Sequence, residues 1–160
     1  MTEIEQEIGP LLKARGLTLA SAESCTGGLV GHRITNVSGS SDYYLGGIVS
    51  YSNEAKEALL GVAHETLLAH GAVSEETARE MARGARQALG ADVGLATTGI
   101  AGPLGGTETK PVGLVYVALS APGVEICQRH VFEGSRVENK EASAEAVLGL
   151  LLAYLRERGA

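Results

Sequence analysis

Aromatic residues and cysteines are scarce in this chain of 160 residues. There is no tryptophan, one phenylalanine and five tyrosines, so the core must be built mainly from aliphatic side chains. Two cysteines, Cys25 and Cys127, are too few for a disulfide framework or a four-cysteine zinc site, and we therefore expect a reducing compartment. The four histidines lack metal-ligand spacing, and neither H-E-x-x-H nor C-x-x-C occurs, so we expect no metal site.

Positive charge and long apolar runs are lacking as well. Lysine and arginine total 13 against 19 acidic residues, a net charge of −6, which argues against a nucleic-acid partner because phosphate backbones are held by clustered Lys and Arg. No stretch approaches the roughly 18 apolar residues of a membrane span. The first residues, MTEIEQEIG, are acidic, unlike the basic start of a signal peptide. We expect a cytoplasmic domain with no membrane partner.

What the sequence does contain is typical of a folded domain. Hydrophobic residues make up 44% and charged residues 20%, which excludes a disordered tail or a fibrous repeat. The length corresponds to about one domain, so we expect residues 1–160 to form a single one.

Apolar periodicity and cap residues predict an alternation of helices and strands. Serine caps are expected at Ser52 and Ser74, and Ser135 with Glu138 forms a capping box. The last two strands are joined by a turn at 121–123 and should pair as an antiparallel hairpin. The fold is thus predicted to be α/β, with a mixed sheet covered on both faces. Helices are predicted over 3–15, 25–35 and 53–61 and after 74 and 135, and strands over 17–24, 43–51, 91–99, 112–120 and 124–132.

The first motif that could carry chemistry is AESCTGG at 22–28, where a strand ends and two glycines begin a helix. Backbone N–H groups at a helix start bind anions or a developing oxyanion. Ser24 or Cys25 would then be a nucleophile beside such donors. In the alternative interpretation, Ser24 only caps the helix and Cys25 is a small buried residue.

The second motif, VSYSNEAK at 49–56, places Tyr51 at a strand end and Lys56 one turn into a helix. A catalytic serine needs a base, and the chain has only two aspartates, neither in an obvious motif with a histidine. A lysine whose pKa is lowered by burial can serve instead. The alternative is that Lys56 is simply solvated.

The third motif is the glycine-rich loop in TTGIAGPLGGTETKPVG at 97–113. Its N–H groups could form an anion nest, with Lys110 adding a point charge to a bound phosphate. The spacing matches neither the P-loop nor the dinucleotide-binding fingerprint. A flexible surface loop is the alternative.

Taken together, AESCTGG, YSNEAK and TGIAGPLGGTETKPVG resemble the CinA C-terminal family of nicotinamide-nucleotide amidases, over about residues 10–155. The resemblance implies a three-layer α/β/α sandwich and hydrolysis of the carboxamide of nicotinamide mononucleotide (NMN) to nicotinate mononucleotide and ammonia. No cofactor is implied. Longer CinA proteins carry an additional N-terminal domain, whose activity is not carried over to these residues.

By resemblance, Ser24 is the nucleophile, Lys56 its base and Tyr51 a hydrogen-bonding partner or relay. The family pattern F-x-G-x-R is matched by Phe132 to Arg136, but a further arginine is replaced by Lys140, which lacks the bidentate fork for phosphate. The residues expected to bind substrate are Thr26, Gly27, Gly28, Thr98, Gly99, Gly102, Gly105, Gly106, Lys110 and Arg136.

Two further interpretations stay open. One is a nucleotide-binding regulatory module associated with competence, which has the same pocket without turnover. The other is an amidase for a different pyridine or amide. The oligomeric state is also open, with a homo-oligomer as one option.

Overall fold

The computed structural model describes residues 3–157, so five residues of the predicted domain, 1–2 and 158–160, lie outside the described part. Six α-helices, five strands and a short 3₁₀-helix at Ser40–Asp42 are described there. The helices are α1 (Ile4–Arg15), α2 (Leu29–Thr35), α3 (Asn53–Leu60), α4 (His64–His70), α5 (Glu75–Leu89) and α6 (Arg136–Glu157). The strands are β1 (Leu19–Glu23), β2 (Tyr44–Val49), β3 (Val93–Gly99), β4 (Leu114–Ala121) and β5 (Val124–Val131).

The five strands form one mixed sheet in the order β2-β1-β3-β4-β5. Strand β1 is parallel to both β2 and β3, whereas β3, β4 and β5 pair antiparallel. The chain leaves β1 toward β2 on one side and later returns to β3 on the other. The carboxyl ends of the three parallel strands therefore meet at one edge of the sheet, around central β1.

Helices cover both faces of the sheet, which confirms the predicted three-layer α/β/α sandwich. Helices α1, α2 and α6 pack on one face against large side chains such as Leu19, Leu95 and Val117. The other face presents small residues such as Ala20 and Ala96 to α3, α4 and α5. Side chains alternate between the faces along each strand. Alternating large and small apolar residues therefore place the large side chains on one face of the sheet and the small ones on the other.

Most predicted elements are confirmed, with boundaries shifted by a few residues. Ser52 and Ser74 cap α3 and α5 by accepting the N–H groups of Ala55 and Thr77. The capping box before α6 forms in both directions between Ser135 and Glu138. The hairpin β4–β5 pairs as predicted. Helix α4 and the 3₁₀-helix were not predicted.

The predicted helix over 25–35 is wrong at its start. Residues 25–28 form a turn, and α2 begins only at Leu29. Gly27 and Gly28 have φ values of 59° and 107°, in a region that other residues rarely adopt. Helix α2 therefore begins after the two glycines and does not include them.

Across residues 3–157, no helix is long and apolar enough to cross a membrane.

Candidate functional site

Residues that follow the three parallel strands line a cavity of about 270 Å³ at the carboxyl edge of the sheet. Ser24 comes directly after β1, Tyr51 follows β2, and Thr98 and Gly99 end β3. Helix α3 contributes Lys56 to the same walls. No carboxylate is among the described residues that line the cavity, which are Ser24, Cys25, Tyr51, Lys56, Ala72, Val73, Thr98, Gly99, Ile100, Ala101, Gly102, Leu104, Gly105 and Arg136.

The side chains of Ser24 and Lys56 meet at the base of this cavity. Lys56 Nζ lies 3.0 Å from Ser24 Oγ, 2.8 Å from the carbonyl oxygen of Ser50 and 3.3 Å from that of Tyr51. The Ser24 backbone is fixed in turn, because its N–H donates to the carbonyl of Thr97 on β3. Two elements distant in sequence therefore hold a hydroxyl and an amine in direct contact.

Burial gives Lys56 the chemical property that a base needs, a lowered pKa. Its side chain is only 1% exposed, and no carboxylate pairs with it among residues 3–157. Loss of hydration lowers the pKa of Lys56 below its usual 10.5, while a smaller interaction with Cys25 acts in the opposite direction. At a given pH, a larger fraction of Lys56 is therefore neutral than of a solvated lysine.

Cys25, the neighbour of Ser24, is also buried and also lines the cavity. Burial raises the pKa of its thiol to about 11. A thiol with this pKa is protonated at neutral pH and is a poor nucleophile. Lys56 Nζ contacts the hydroxyl of Ser24 and has no hydrogen bond to the thiol among the described residues, so the geometry favours Ser24.

The turn after Ser24 is held by a residue that the sequence did not single out. Glu23, at the end of β1, accepts the N–H groups of Gly28, Val30 and Gly31, each at 3.0 Å, and the Thr26 hydroxyl at 2.6 Å. The carboxylate of Glu23 therefore already accepts these backbone N–H groups at the start of α2. The expectation that this helix start offers free donors is wrong for these groups.

Free donors do occur earlier in the turn. No other residue among 3–157 accepts the backbone N–H groups of Cys25 and Thr26; the N–H of Cys25 lies against its own thiol, and only Cys25 of the two lines the cavity. They directly follow Ser24, the position at which donors can stabilise negative charge on a group bound to its oxygen.

The glycine-rich loop reaches the cavity because the start of α6 holds it there. Arg136 Nη1 donates to the carbonyl of Gly102 at 2.7 Å, and Asn139 Nδ2 donates to that of Ala101 at 2.9 Å. Asn139 is 1% exposed and also accepts the N–H of Gly134. As a result, Gly99, Gly102, Gly105 and Arg136 line the cavity, with Thr98 beside them.

Tyr51 enters the site mainly through its backbone. Its carbonyl oxygen contacts Lys56, while its side chain is 64% exposed and its hydroxyl accepts Arg136 Nη2 at 3.3 Å. The hydroxyl makes no hydrogen bond to Ser24 or Lys56. The described residues therefore contain no hydrogen bond that would support the proton relay predicted for Tyr51.

Several predicted substrate-binding residues lie outside the cavity lining. The Thr26 hydroxyl is occupied by Glu23 and by Thr97 Oγ1. Lys110 instead donates to the carbonyl of His70 at 2.5 Å. Thr98 lines the cavity, but its hydroxyl donates to the carbonyl of Ala72 at 2.7 Å. The other predicted residues that do not line it are Gly27, Gly28 and Gly106.

Glu23, Ser50 and Asn139 are the residues that sequence reasoning missed. A glutamate that ends an apolar strand directly before a serine is a weak signal that it caps the next helix. Asn139 carried no signal, because its partners lie 38 and 5 residues away. The described residues contain no cluster of His, Cys, Asp or Glu that could hold a metal ion.

Comparison with known proteins gives one consistent result. Residues 1–155 match the family model described as CinA C-terminal domain. CinA-like proteins of Chloroherpeton thalassium and Salinibacter ruber are 53% and 54% identical over 92% and 91% of this chain. The chain covers only 36% and 35% of these curated relatives, just over a third of their length.

Solved structures agree with this match. The competence/damage inducible protein CihA from Agrobacterium tumefaciens superposes with a TM-score of 0.92 at 40% identity, covering 96% of this chain and 93% of the other. Competence damage-inducible protein A (ComA) from Klebsiella pneumoniae gives 0.93 at 35% identity, with 97% and 96% covered.

Proposed function

Because the chain belongs to the CinA C-terminal domain family, we propose that it is a nicotinamide-nucleotide amidase that hydrolyses NMN to nicotinate mononucleotide and ammonia. The observation that carries the proposal is the 3.0 Å contact between Lys56 Nζ and Ser24 Oγ in a cavity without carboxylates. An activated hydroxyl beside free N–H donors is the arrangement that acyl transfer requires.

The surroundings of Lys56 favour its action as a base. A neutral amine has two N–H donors and one lone pair, and the carbonyls of Ser50 and Tyr51 can accept both donors. The lone pair is then left for the hydroxyl proton of Ser24. Ser24 Oγ attacks the carboxamide carbon while its proton passes to Lys56.

The negative charge that develops on the carboxamide oxygen needs donors close to Ser24. The N–H of Cys25, which lines the cavity, would be such a donor, in place of the helix start that the sequence indicated. The protonated Lys56 then gives its proton to the departing nitrogen, and ammonia leaves. Water attacks the resulting ester with Lys56 again as base, which releases nicotinate mononucleotide and restores the Ser24 hydroxyl.

The phosphate of NMN would bind at the mouth of the cavity. Arg136 is the one basic side chain besides Lys56 among the described lining residues. Two of its five N–H donors contact Gly102 and Tyr51, which leaves others for an anion. Lys110, the other predicted phosphate ligand, does not line the cavity.

The test is an ammonia assay on the purified protein with NMN, nicotinamide riboside, nicotinamide and glutamine. NMN should be hydrolysed, and Ser24→Ala should release no ammonia while NMN still raises its melting temperature. If wild-type protein is stabilised by NMN but releases no ammonia, the chain is a nucleotide-binding regulatory module. Faster hydrolysis of another amide would refute NMN as the substrate.

A further inference from the structure

A buried carboxylate directly precedes Ser24 and has no part in the proton transfers described above. Glu23 is 2% exposed, and within residues 3–157 no basic side chain forms an ion pair with it. Its charge is balanced by four neutral donors, the hydroxyl of Thr26 and three backbone N–H groups of the turn and helix α2. A buried charge without a cation is costly unless such donors surround it. This cost indicates that the position has a specific role.

The bonds to Glu23 determine the course of the backbone after Ser24. The carboxylate accepts the N–H groups of Val30 and Gly31 in α2, and within the turn the N–H of Gly28 and the hydroxyl of Thr26. The hydroxyl of Thr26 also contacts Thr97 Oγ1 on β3 at 2.7 Å. The turn is thus attached both to the carboxylate and to the neighbouring strand. Every N–H that Glu23 accepts lies downstream of Thr26, so the carboxylate does not occupy the N–H of Cys25.

We propose that Glu23 is a positioning residue for amide hydrolysis: its carboxylate fixes the turn so that the N–H of Cys25, the lining residue next to Ser24, faces the oxyanion formed on Ser24. This inference rests on the proposed function. Donors of this kind stabilise a transition state only when they are held within about 0.5 Å of the productive geometry. The backbone course, rather than a side chain that touches substrate, is what Glu23 supplies.

Glu23→Gln is the informative substitution because it keeps the size of the side chain. The amide oxygen can still accept some of the four donors, but its NH₂ group replaces one acceptor with donors. The NH₂ group then faces a backbone N–H of the turn or of α2. Two donors cannot form a hydrogen bond with each other, so the backbone must shift. The matched control is Glu5→Gln, since Glu5 is 3% exposed and accepts two hydrogen bonds from Arg33 on α2.

The experiment measures how fast a fluorophosphonate labels Ser24, by mass spectrometry of the intact protein. Ser24 Oγ forms a bond to phosphorus, the P–F bond breaks, fluoride leaves, and Lys56 takes the hydroxyl proton. The phosphoryl oxygen then occupies the oxyanion position. Glu23→Gln should slow labelling roughly 10- to 100-fold, with the labelled fraction still complete. For NMN, kcat should fall by a similar factor with little change in KM.

The outcomes separate positioning from folding. Glu5→Gln should label at the wild-type rate. A Glu23→Gln protein that labels at the wild-type rate, even in a reduced fraction of molecules, would show a merely structural role and overturn the proposal. If Glu23→Gln does not fold, Thr26→Val, which removes the bridge to Thr97, must slow labelling instead, and an unchanged rate overturns the proposal.

The readout also separates this inference from the proposed function. Labelling of wild-type Ser24 without ammonia from NMN would refute the substrate but leave the role of Glu23 measurable. Absence of labelling on wild-type Ser24 would overturn both.

Discussion

At the scale of single residues, burial assigns different chemistry to neighbours in the cavity. Lys56 loses hydration, which lowers its pKa, whereas the same cause raises the pKa of Cys25 to about 11. Burial always favours the neutral form, so it produces a better base from a lysine and a worse nucleophile from a cysteine. The contact of 3.0 Å between Lys56 Nζ and Ser24 Oγ adds that the base lies next to the hydroxyl, which is why the proposal assigns the attack to Ser24.

Lys56→Arg should be almost inactive although it keeps the positive charge. Guanidinium remains protonated at any accessible pH and cannot accept the Ser24 proton, so we expect kcat for NMN to fall by about 10³-fold or more. Ammonia release measures the loss. Because an arginine is too large for a side chain that is 1% exposed, Lys56→Met serves as the folding control and should be inactive as well. Substantial turnover by either variant would exclude Lys56 as the base.

The pH dependence of kcat/KM should report the state of Lys56. The neutral amine is the active form, so activity should be low at acid pH and rise as the pH passes through the Lys56 pKa. Because burial lowers that pKa, the midpoint should lie below the usual 10.5. Cys25→Ala should keep the acid limb, with its midpoint unchanged or slightly lower, because the small interaction with Cys25 acts to raise the Lys56 pKa. An acid limb that vanishes in Cys25→Ala would contradict this assignment.

Cys25→Ala should retain most of the activity, whereas Ser24→Ala should have none. The thiol lines the cavity, so its removal changes packing near the substrate but removes no reactive group. The wild-type protein should also react slowly with iodoacetamide at neutral pH, because little thiolate is present. Turnover in Ser24→Ala together with loss in Cys25→Ala would identify a thiol amidase.

At the scale of elements, the glycine-rich loop owes its place to α6. Arg136 and Asn139 lie on the first turns of that helix and hold two successive carbonyls of the loop, those of Gly102 and Ala101. The loop itself contains little that packs, and Leu104 is exposed at its tip. A helix distant in sequence therefore determines one wall of the cavity.

Arg136→Ala should impair NMN hydrolysis much more than hydrolysis of nicotinamide riboside. Both substrates need the loop, but only NMN carries the phosphate that the free Arg136 donors would bind. We expect KM for NMN to rise about 10- to 100-fold, the loss of a charged hydrogen bond of about 1.5–3 kcal/mol. Steady-state kinetics on both substrates measures the difference.

Lys110→Ala is the matched control for Arg136→Ala, because the lysine contacts the carbonyl of His70 and does not line the cavity. Its ratio of NMN to riboside activity should stay at the wild-type value. Equal losses on both substrates in Arg136→Ala would mean that Arg136 only supports the loop.

At the scale of the whole molecule, the site depends on how closely the helices approach the sheet and each other. Helix α5 packs against small residues of the sheet. For example, a Cβ placed on Gly94 of β3 would lie 2.2 Å from the carbonyl oxygen of Ala82 in α5. Helix α3, which carries Lys56, packs in turn against α5. The position of the Lys56 amine is thus linked to the close packing of α5, a helix that does not line the cavity.

Gly84→Ala should destabilise the protein, although alanine is normally the better helix former. A Cβ at this position in α5 would lie 1.9 Å from the carbonyl oxygen of Leu60, at the end of α3. The helices must separate, at a cost of about 2 kcal/mol or more in the free energy of unfolding. Urea unfolding measures the cost, and activity should fall because α3 moves.

Gly149→Ala in α6 is the control, since within residues 3–157 its Cβ would meet only Ile4 Cδ1, at 4.0 Å. It should raise the free energy of unfolding by about 0.5–1 kcal/mol. Equal effects of the two substitutions would show that the contact between α3 and α5 is not tight.

The sequence by itself determined the alternation of helices and strands, the caps at Ser52, Ser74 and Ser135, and the family. These depend on local patterns, on residues at most a few positions apart, and on motifs readable in one dimension. The reactive residue types, a serine after one strand and a lysine after another, could also be named from the sequence. Their roles stay predictions that the experiments above address.

Only the tertiary structure decided which of the named residues share a cavity. It brings Lys56 to Ser24 across 32 positions and Arg136 to Gly102 across 34, and it leaves Lys110 outside. It also shows that Glu23 accepts the backbone N–H groups at the start of α2. The sequence pattern, with glycines at 27 and 28, did not indicate this. The physical reason is that hydrogen bonds and burial depend on distances set by chain topology, whereas sequence spacing reports only the local geometry of each element.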